Sequence, residues 1–415
     1  MIHHRRLAAL GVAVVLATAA CSDGPTPAPS ASADQTPASQ QPTGSPEPVP
    51  LSGELTLWHA YDPSGGTAEF RAFSRILERL RDANPDLELT VQAVPLDDIF
   101  GQFETEAAAG RGPDLFIAPG DQLGSEVRRG FVADLDGLID DVIADSRDIS
   151  VEGSTVNGSL YLVPESLKGV AMYYDAQAVT KAPTTTDELL TFVKDGGKLG
   201  VVGGAYFGWG FYSAFGGDVF DETQTKCQAT ATSGVADAMA FVKELKDAGA
   251  LVDVDYGKVN GAFINGEIDI VLNGNWALGE YRAARPGLVV TPVPAGPAGP
   301  ARPMVGVDGW YVNKASTRLD LAVAVAAEMV SREAQTLFVD VAAHVPANRD
   351  IQIIDPLVDS FADAIDQGYA WPHAEAMSDY WGNFDRAWNR VLVDGVDPTA
   401  AVEEACAAMD AASGS

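Results

Sequence analysis

Apolar positions in the first third of the chain repeat with two different periods. Residues 53–58, 87–94 and 114–118 predict strands, whereas residues 67–83 and 97–109 place apolar side chains at helical spacing. Strands that alternate with helices in this way favour parallel pairing through right-handed crossovers. This part of the chain is therefore predicted to form an α/β layer structure.

Residues 262–281 combine a predicted helix end, a strand and an aromatic ring at the end of that strand. Asn265 and Gly266 are typical of a helix C-terminus, and residues 267–272 alternate as a strand does. An Asn-Gly-Asn break follows, and Trp276 comes immediately after it. Ligands of α/β sheets bind at the carboxyl ends of strands, so Trp276 is a candidate contact. A Trp that fills the core is the alternative interpretation.

The remaining pattern alternates in the same manner, and the total length is 415 residues. That length exceeds one ordinary core, so two lobes or domains are predicted. Further strands are predicted at 169–174, 288–294 and 305–313, and helices at 235–247, 321–330, 333–341, 353–366, 380–393 and 398–409. No internal repeat is present in this pattern.

The first fifty residues have a different composition. Residues 1–20 carry Arg5 and Arg6, a short apolar run and small residues before Cys21, as a secretory signal does. The cysteine after small residues resembles a bacterial lipobox, which would make Cys21 the lipidated N-terminus; an ordinary signal-peptidase site is the alternative. Residues 21–50 are rich in Pro and Ser and predict a disordered tether.

The net charge and the positions of Cys and His residues limit the partners and cofactors that the protein could have. The formal net charge of -31 argues against nucleic acid and anionic lipid headgroups. Outside the cell, Cys227 and Cys406 are a possible disulfide pair. His59, His344 and His373 show no metal-ligand spacing, and no phosphate-binding Gly loop with a Lys is present. We therefore expect no metal and no cofactor.

Several motifs resemble, in order, those of the carbohydrate-binding extracellular solute-binding proteins of ABC importers, the maltose/maltodextrin-binding group. The motifs are GELTLWHAY, GPDLFIAPGDQLG, YLVPESLKGVAMYYD, AYFGWGFYSAFGG, AFINGEIDIVLNGNWALGEY, MVGVDGWYVNKAS and AMSDYWGNFDRAW. The resemblance covers residue 53 to the C-terminus. It implies a bilobal α/β fold with the ligand in a cleft that closes about a hinge.

The resemblance also implies domain boundaries and a cellular role. Residues 51–167 with 288–343 would form the N-terminal lobe, and residues 168–287 with 344–415 the C-terminal lobe. The protein would be a monomeric lipoprotein on the outer face of the bacterial cell membrane. It would deliver an oligosaccharide of the maltodextrin type to permease subunits whose ATPase is separate, and it would not be an enzyme.

Carbohydrate sites need flat rings for the sugar faces and polar groups for the hydroxyls. The family's ligand positions correspond here to Asp62, Asp121, Tyr206, Trp209, Trp276 and Trp381. Asp62 and Asp121 could instead form turns, and Tyr206 and Trp209 could belong to the core. Trp310 could be a further ring or a buried strand residue, and Asp308 shares that ambiguity.

The chain departs from the family at three ligand positions. Ala118 replaces an aromatic residue, Lys168 an acidic residue, and Asp385 an arginine. Lys168 and Asp385 could form an ion pair or hydrogen-bond to sugar hydroxyls. Lys168 could instead bind an anionic group of the ligand. The alternatives are therefore another sugar such as trehalose, or an anionic or phosphorylated sugar. A secreted glycoside hydrolase using two carboxylates is a remote alternative.

Overall fold

The computed structural model describes residues 50–63, 67–221, 224 and 226–412. The predicted signal peptide, Cys21 and all of the predicted tether except its last residue lie outside the described residues. Among the helices of the described residues, none is long and apolar enough to cross a membrane.

The strands fall into two main sheets and one small hairpin. They are β1 (Gly53–His59), β2 (Leu87–Ala93), β3 (Leu115–Pro119), β4 (Thr155–Val156), β5 (Ser159–Leu160), β6 (Leu162–Lys168), β7 (Val170–Asp175), β8 (Leu199–Val202), β9 (Leu251–Asp253), β10 (Ile270–Gly274), β11 (Leu288–Thr291), β12 (Met304–Val312), β13 (Val345–Pro346) and β14 (Tyr369–Ala370).

The helices cover both main sheets. They are α1 (Ala68–Ala83), α2 (Leu96–Ala108), α3 (Leu123–Arg129), α4 (Asp140–Ile143), α5 (Asp148–Glu152), α6 (Thr186–Lys194), α7 (Ala205–Ala214), α8 (Gly234–Asp247), α9 (Tyr256–Ile264), α10 (Leu278–Ala284), α11 (Leu319–Met329), α12 (Arg332–Ala342), α13 (Pro356–Ile365), α14 (Met377–Asn389) and α15 (Pro398–Ala412).

The first sheet has the strand order β13-β6-β12-β3-β1-β2, and β14 also pairs with β12. β1 is parallel to both β2 and β3, which confirms the parallel pairing predicted for the first three strands. The Thr67 side chain caps α1 by accepting from the Phe70 N–H, and α1 buries its predicted apolar face. β12 then returns antiparallel to β3 and β6.

The second sheet has the order β11-β7-β10-β8-β9. All five residues of β10 are buried, as the run of Ile, Val and Leu predicts for a central strand. α7, α8, α14 and α15 share one apolar core in this part of the chain. The two sheets with their helices are the two lobes of a bilobal α/β fold.

Strand pairing shows where the chain passes between the lobes. β6 ends in the first sheet at Lys168, and β7 begins in the second at Val170. Residues 288–291 were expected in the N-terminal lobe, but β11 pairs with β7 in the second sheet. Similarly, β13 pairs with β6 in the first sheet, although residues from 344 onward were expected in the C-terminal lobe. A short apolar strand can pair with either sheet, and its sequence does not specify which.

A disulfide joins Cys227 to Cys406 in α15, with Cα atoms 5.3 Å apart. The Cys227 N–H also donates to the Asp410 carboxylate on the same helix. The loop before α8 is thereby attached to the C-terminal helix across 179 residues of sequence.

Candidate functional site

A cavity of about 310 Å³ is lined by residues of both lobes. The first lobe contributes Asp121 in the turn after β3, Lys168 at the end of β6, and Asp308 on β12. Two cavities of about 480 Å³ also occur among the described residues, but each is lined by only one Phe, Tyr or Trp side chain. The smaller cavity is the candidate site because it combines ring faces with buried polar groups, as ligand pockets do.

Aromatic side chains form one wall of this cavity. Tyr206 on α7 lies near three indoles, with its ring centroid 5.9 Å from that of Trp276, 6.0 Å from Trp371 and 6.5 Å from Trp381. Trp371 and Trp381 are themselves 4.7 Å apart. Burial, followed by the negative charge of Asp308, raises the pKa of Tyr206, so its hydroxyl stays protonated at neutral pH.

The end of β10 positions Trp276. A Cβ on Gly274 would lie only 2.1 Å from the indole, so glycine is needed for the ring to pass over the strand end. The indole N–H of Trp276 donates to the Tyr256 hydroxyl at 3.1 Å. Trp276 is 38% exposed, which is unusual for so large an apolar side chain and leaves its ring accessible.

Trp371 is a cavity residue that the sequence analysis missed. It lies in the segment between β14 and α14, and its backbone N–H donates to the Val305 carbonyl on β12. No helical or strand period marks this segment. The only sequence feature that could have indicated Trp371 is an aromatic residue before Pro372 in a short loop, and that feature is weak evidence for a ligand contact.

Lys168 and Asp308 form an ion pair at 2.5 Å in this site. Burial lowers the pKa of Lys168, but the charge of Asp308 and its hydrogen bond more than offset this, so the pKa is raised overall. The lysine is therefore a cation already engaged by a carboxylate of its own lobe. The ion pair with Asp385, one of the alternatives for Lys168, does not form, because Asp385 accepts from the Ala205 N–H instead.

Asp121 lines the same cavity, and one of its carboxylate oxygens has no partner among the described residues. Its Oδ1 is buried and accepts no hydrogen bond from any described residue. Burial and then the charge of Asp308 raise the pKa of Asp121 to about 6, although N–H groups of Asp121 and Gln122 lower it in part. Asp121 is thus a carboxylate held in an unfavourable environment.

A second buried pair lies behind Lys168. His344 Nδ1 is 3.2 Å from a carboxylate oxygen of Glu165, and both side chains are buried. Burial lowers the pKa of His344, but the charge and hydrogen bond of Glu165, together with the charge of Asp308, outweigh it, so the pKa is raised and the imidazolium is favoured. The buried Tyr61 hydroxyl makes no hydrogen bond to any described residue, and Glu165 and Asp308 contribute to raising its pKa after burial.

The profile of the bacterial extracellular solute-binding proteins matches residues 75–366, well over half of the chain. The chain belongs to this family. Its members lie outside the cytoplasm and bind solutes, which agrees with a cavity between two lobes.

Relatives and solved structures resemble this solute-binding protein over most of its length. The maltotriose-binding protein of Pyrococcus abyssi (strain GE5 / Orsay) is 26% identical over 362 residues, covering 83% of this chain and 78% of that protein. The galactooligosaccharide-binding protein of Bacillus subtilis (strain 168) is 23% identical over 378 residues, covering 85% and 87%. The Thermus thermophilus maltotriose-binding protein bound with maltotriose gives a TM-score of 0.74 at 26% identity, covering 86% of this chain and 99% of that one.

Two predicted aromatic contacts of this solute-binding protein lie in its core instead. Trp209 is 5% exposed and packs on Tyr380, 5.2 Å between ring centroids, because it lies on the face of α7 that meets α14. Trp310 is fully buried in the first lobe and stacks on Phe73. Neither lines the cavity, so both are structural residues in this conformation.

Two predicted acidic contacts also lie elsewhere. The Asp385 carboxylate accepts from the Ala205 N–H at 2.8 Å and so satisfies the N-terminus of α7. Asp62 is exposed in the loop after β1 and is not among the residues that line the cavity. Of the predicted set, the structure brings together Asp121, Lys168, Tyr206, Trp276, Asp308 and Trp381. In the described part of the chain, no group of three or more metal-ligating side chains occurs.

Proposed function

We propose that this solute-binding protein captures an oligosaccharide of the maltodextrin type. The observation that carries the proposal is the cavity wall of Tyr206, Trp276, Trp371 and Trp381 beside buried carboxylates. Ring faces match the C–H patches of a sugar, and carboxylates accept hydrogen bonds from its hydroxyls. The relatives are named for binding maltotriose and galacto-oligosaccharides, which supports the same class.

In this proposal Trp276 and Trp381 stack on sugar rings, and Tyr206 and Trp371 extend the aromatic surface. Asp121 and Asp308 accept from hydroxyls, and Lys168 orients Asp308. The ligand contacts both lobes, so its binding energy can favour a closed arrangement over an open one. No bond is broken, because the two carboxylates of the cavity act as hydrogen-bond acceptors.

The charge distribution disfavours a phosphorylated or acidic saccharide. Lys168, the cation lining the cavity, is neutralised by Asp308, and Asp121 leaves the lining with an excess negative charge. An anionic ligand would meet repulsion from Asp121. The phosphorylated-sugar alternative is therefore disfavoured.

The cellular role is proposed on the sequence. Cys21 would carry the lipid that anchors a monomeric protein to the outer face of the cell membrane, and the segment after it would act as a tether. The captured sugar would pass to the permease of an ABC importer with a separate ATPase, and the protein itself would have no catalytic activity. We keep the lobe boundaries near residues 168, 288 and 344 in this proposal, with two changes. The strand β11 is assigned to the second lobe and β13 to the first, because of the sheets in which they pair.

A thermal-shift panel tests the proposal, because a ligand that binds only the folded state raises its melting temperature. The panel contains maltose, maltotriose, maltotetraose, trehalose, a galacto-oligosaccharide and maltose 6-phosphate. We expect the maltodextrins to give the largest shifts and the phosphorylated sugar the smallest. A shift with maltose 6-phosphate alone would contradict the proposal, and release of glucose from maltotetraose would contradict the absence of catalysis.

A further inference from the structure

The charges that line the site do not balance. Asp121 and Asp308 are acidic, and Lys168 is the basic residue among the lining residues. Lys168 is bound to Asp308 at 2.5 Å, so Asp121 has no cation of its own. Arg128 lines a smaller adjoining cavity together with Asp121, but its guanidinium donates to the His373 carbonyl at 2.8 Å.

One oxygen of Asp121 lacks a hydrogen-bond partner, although N–H groups of Asp121 and Gln122 and the Gln122 side chain bond the carboxylate. Its Oδ1 is buried and unpartnered within the described chain, and Asp308 adds a second negative charge nearby. A buried carboxylate without a counter-charge is costly, and proteins normally pair such groups. The pairing partner is absent from the lining residues, which suggests that a ligand supplies it.

The aromatic wall suits a cation for a separate reason. Tyr206 lies within 6.5 Å, centroid to centroid, of Trp276, Trp371 and Trp381. The faces of such rings carry negative electrostatic potential and attract ammonium groups, Trp most strongly. Ring faces and an unpaired carboxylate therefore favour the same kind of chemical group.

We propose that the preferred ligand is a saccharide carrying a basic nitrogen, protonated at neutral pH, that lies against Asp121 within the aromatic wall. The inference rests on the proposed saccharide-binding function and narrows it. A hydroxyl would give Asp121 one hydrogen bond and no charge. An ammonium would give both, and charge-assisted hydrogen bonds are roughly twice as strong as neutral ones.

The test compares matched ligands by isothermal titration calorimetry at pH 7.5. The ligands are maltotriose, three derivatives in which the 6-hydroxyl of one ring is replaced by an amino group, and the N-acetylated form of each derivative. The N-acetyl forms keep the nitrogen and remove its charge. The variant is Asp121→Asn, and the matched control is Asp97→Asn, an exposed carboxylate in the first turn of α2.

We expect at least one amino derivative to bind about tenfold more tightly than maltotriose and than its own N-acetyl form, a difference of about 1.4 kcal/mol. Asp121→Asn should remove this preference, and Asp97→Asn should keep it. The wild-type preference should also shrink at pH 5, because a pKa of about 6 leaves Asp121 mostly protonated before the ligand binds and its proton must then be lost. This measurement needs no variant.

Two results would overturn the inference. Amino derivatives that bind no better than maltotriose would show that Asp121 serves neutral hydroxyls, and the saccharide function would stand. A preference that survives Asp121→Asn would assign the nitrogen to another group. If neither maltotriose nor any derivative binds, the proposed function fails and the inference fails with it.

Discussion

The indoles of Trp371 and Trp381 lie 4.7 Å apart with their planes tilted by 34°. Trp371 belongs to the segment that leaves the first sheet at β14, and Trp381 belongs to α14, which packs on the helices of the second lobe. The aromatic wall is thus assembled from a segment whose backbone bonds the first sheet and a helix of the second lobe, although both indoles pack against the second-lobe core. A ligand that covers both rings and also reaches Asp121 or Asp308 would contact both lobes at once.

Replacing either indole should weaken sugar binding without unfolding the protein. We expect Trp371→Ala and Trp381→Ala each to raise the dissociation constant for maltotriose at least tenfold, about 1.4 kcal/mol, because each removes a ring face from a half-exposed position. Isothermal titration calorimetry measures the constant. The conservative variants Trp371→Phe and Trp381→Phe should retain most of the affinity.

Trp310→Phe is the matched control for this pair. Its indole is fully buried away from the cavity, so the change should lower the melting temperature and leave the sugar affinity of the folded protein unchanged. A large loss of affinity in Trp310→Phe, with none in Trp371→Ala, would assign the binding surface to a different part of the first lobe.

The sequence predicted the fold better than it predicted the site. The first three strands, α1 and the position of Trp276 follow from local periodicity and turn residues, which act over a few residues. Trp209 and Tyr206 lie three residues apart on α7, yet one faces the core and the other the cavity. That difference is set by how α14 packs against α7, a contact between residues far apart in sequence.

The partners of the charged residues could not be predicted from the sequence either. Lys168 pairs with Asp308 because β6 and β12 are antiparallel neighbours, with Lys168 opposite Gly306 and Ser166 opposite Asp308. Asp385 instead caps α7. Trp371 lines the site from an irregular segment that has no hydrophobic period. Ala118 on β3 is buried and is not among the lining residues.

The raised pKa of Asp121 predicts a pH-dependent stability. Its folded value of about 6 exceeds the unfolded value of 3.8, so the folded state binds more protons. This group therefore favours folding below pH 4, and that stability is lost as pH rises through 6. The difference corresponds to about 3 kcal/mol from the two values.

Asp121→Asn should remove that loss. We expect the variant to be more stable than the wild type at pH 7.5, with the gain shrinking towards zero between pH 6 and pH 4. Urea unfolding at several pH values measures the difference in free energy of unfolding, and Asp97→Asn is the control. A gain that is independent of pH would show that Asp121 is not the titrating group.

The Lys168–Asp308 pair predicts non-additive effects on stability. Lys168→Met leaves the buried carboxylate of Asp308 without its cation, and we expect it to lower the free energy of unfolding by about 2 kcal/mol, less than for a fully buried pair because the lysine is 30% exposed. The double variant Lys168→Met/Asp308→Asn removes both charges and should recover most of this loss. Equal, additive losses in urea unfolding would mean that the two charges are independent.

Arg128 lies outside the cavity, and we expect it to hold the segment that positions the Trp371 ring. Its guanidinium donates to the His373 carbonyl, and the His373 imidazole lies 2.8 Å from the Gly153 carbonyl, so the segment carrying Trp371 is fastened to the first lobe at two points. A Cβ on Gly124 would lie 2.3 Å from the His373 carbonyl oxygen, which shows how closely α3 and the segment carrying Trp371 pack. Losing the Arg128 bond should loosen the segment and speed sugar release.

We therefore expect Arg128→Met to raise the maltotriose dissociation rate several-fold in stopped-flow Trp fluorescence, with little change in the association rate, because the bond acts after the ligand has entered. Arg128→Lys, which can still donate to the carbonyl, should recover part of the slow release. Arg111→Met is the control, since Arg111 pairs with Glu106 on the exposed end of α2. Identical release rates in Arg128→Met and Arg111→Met would show that the segment is held by the His373 imidazole and by packing alone.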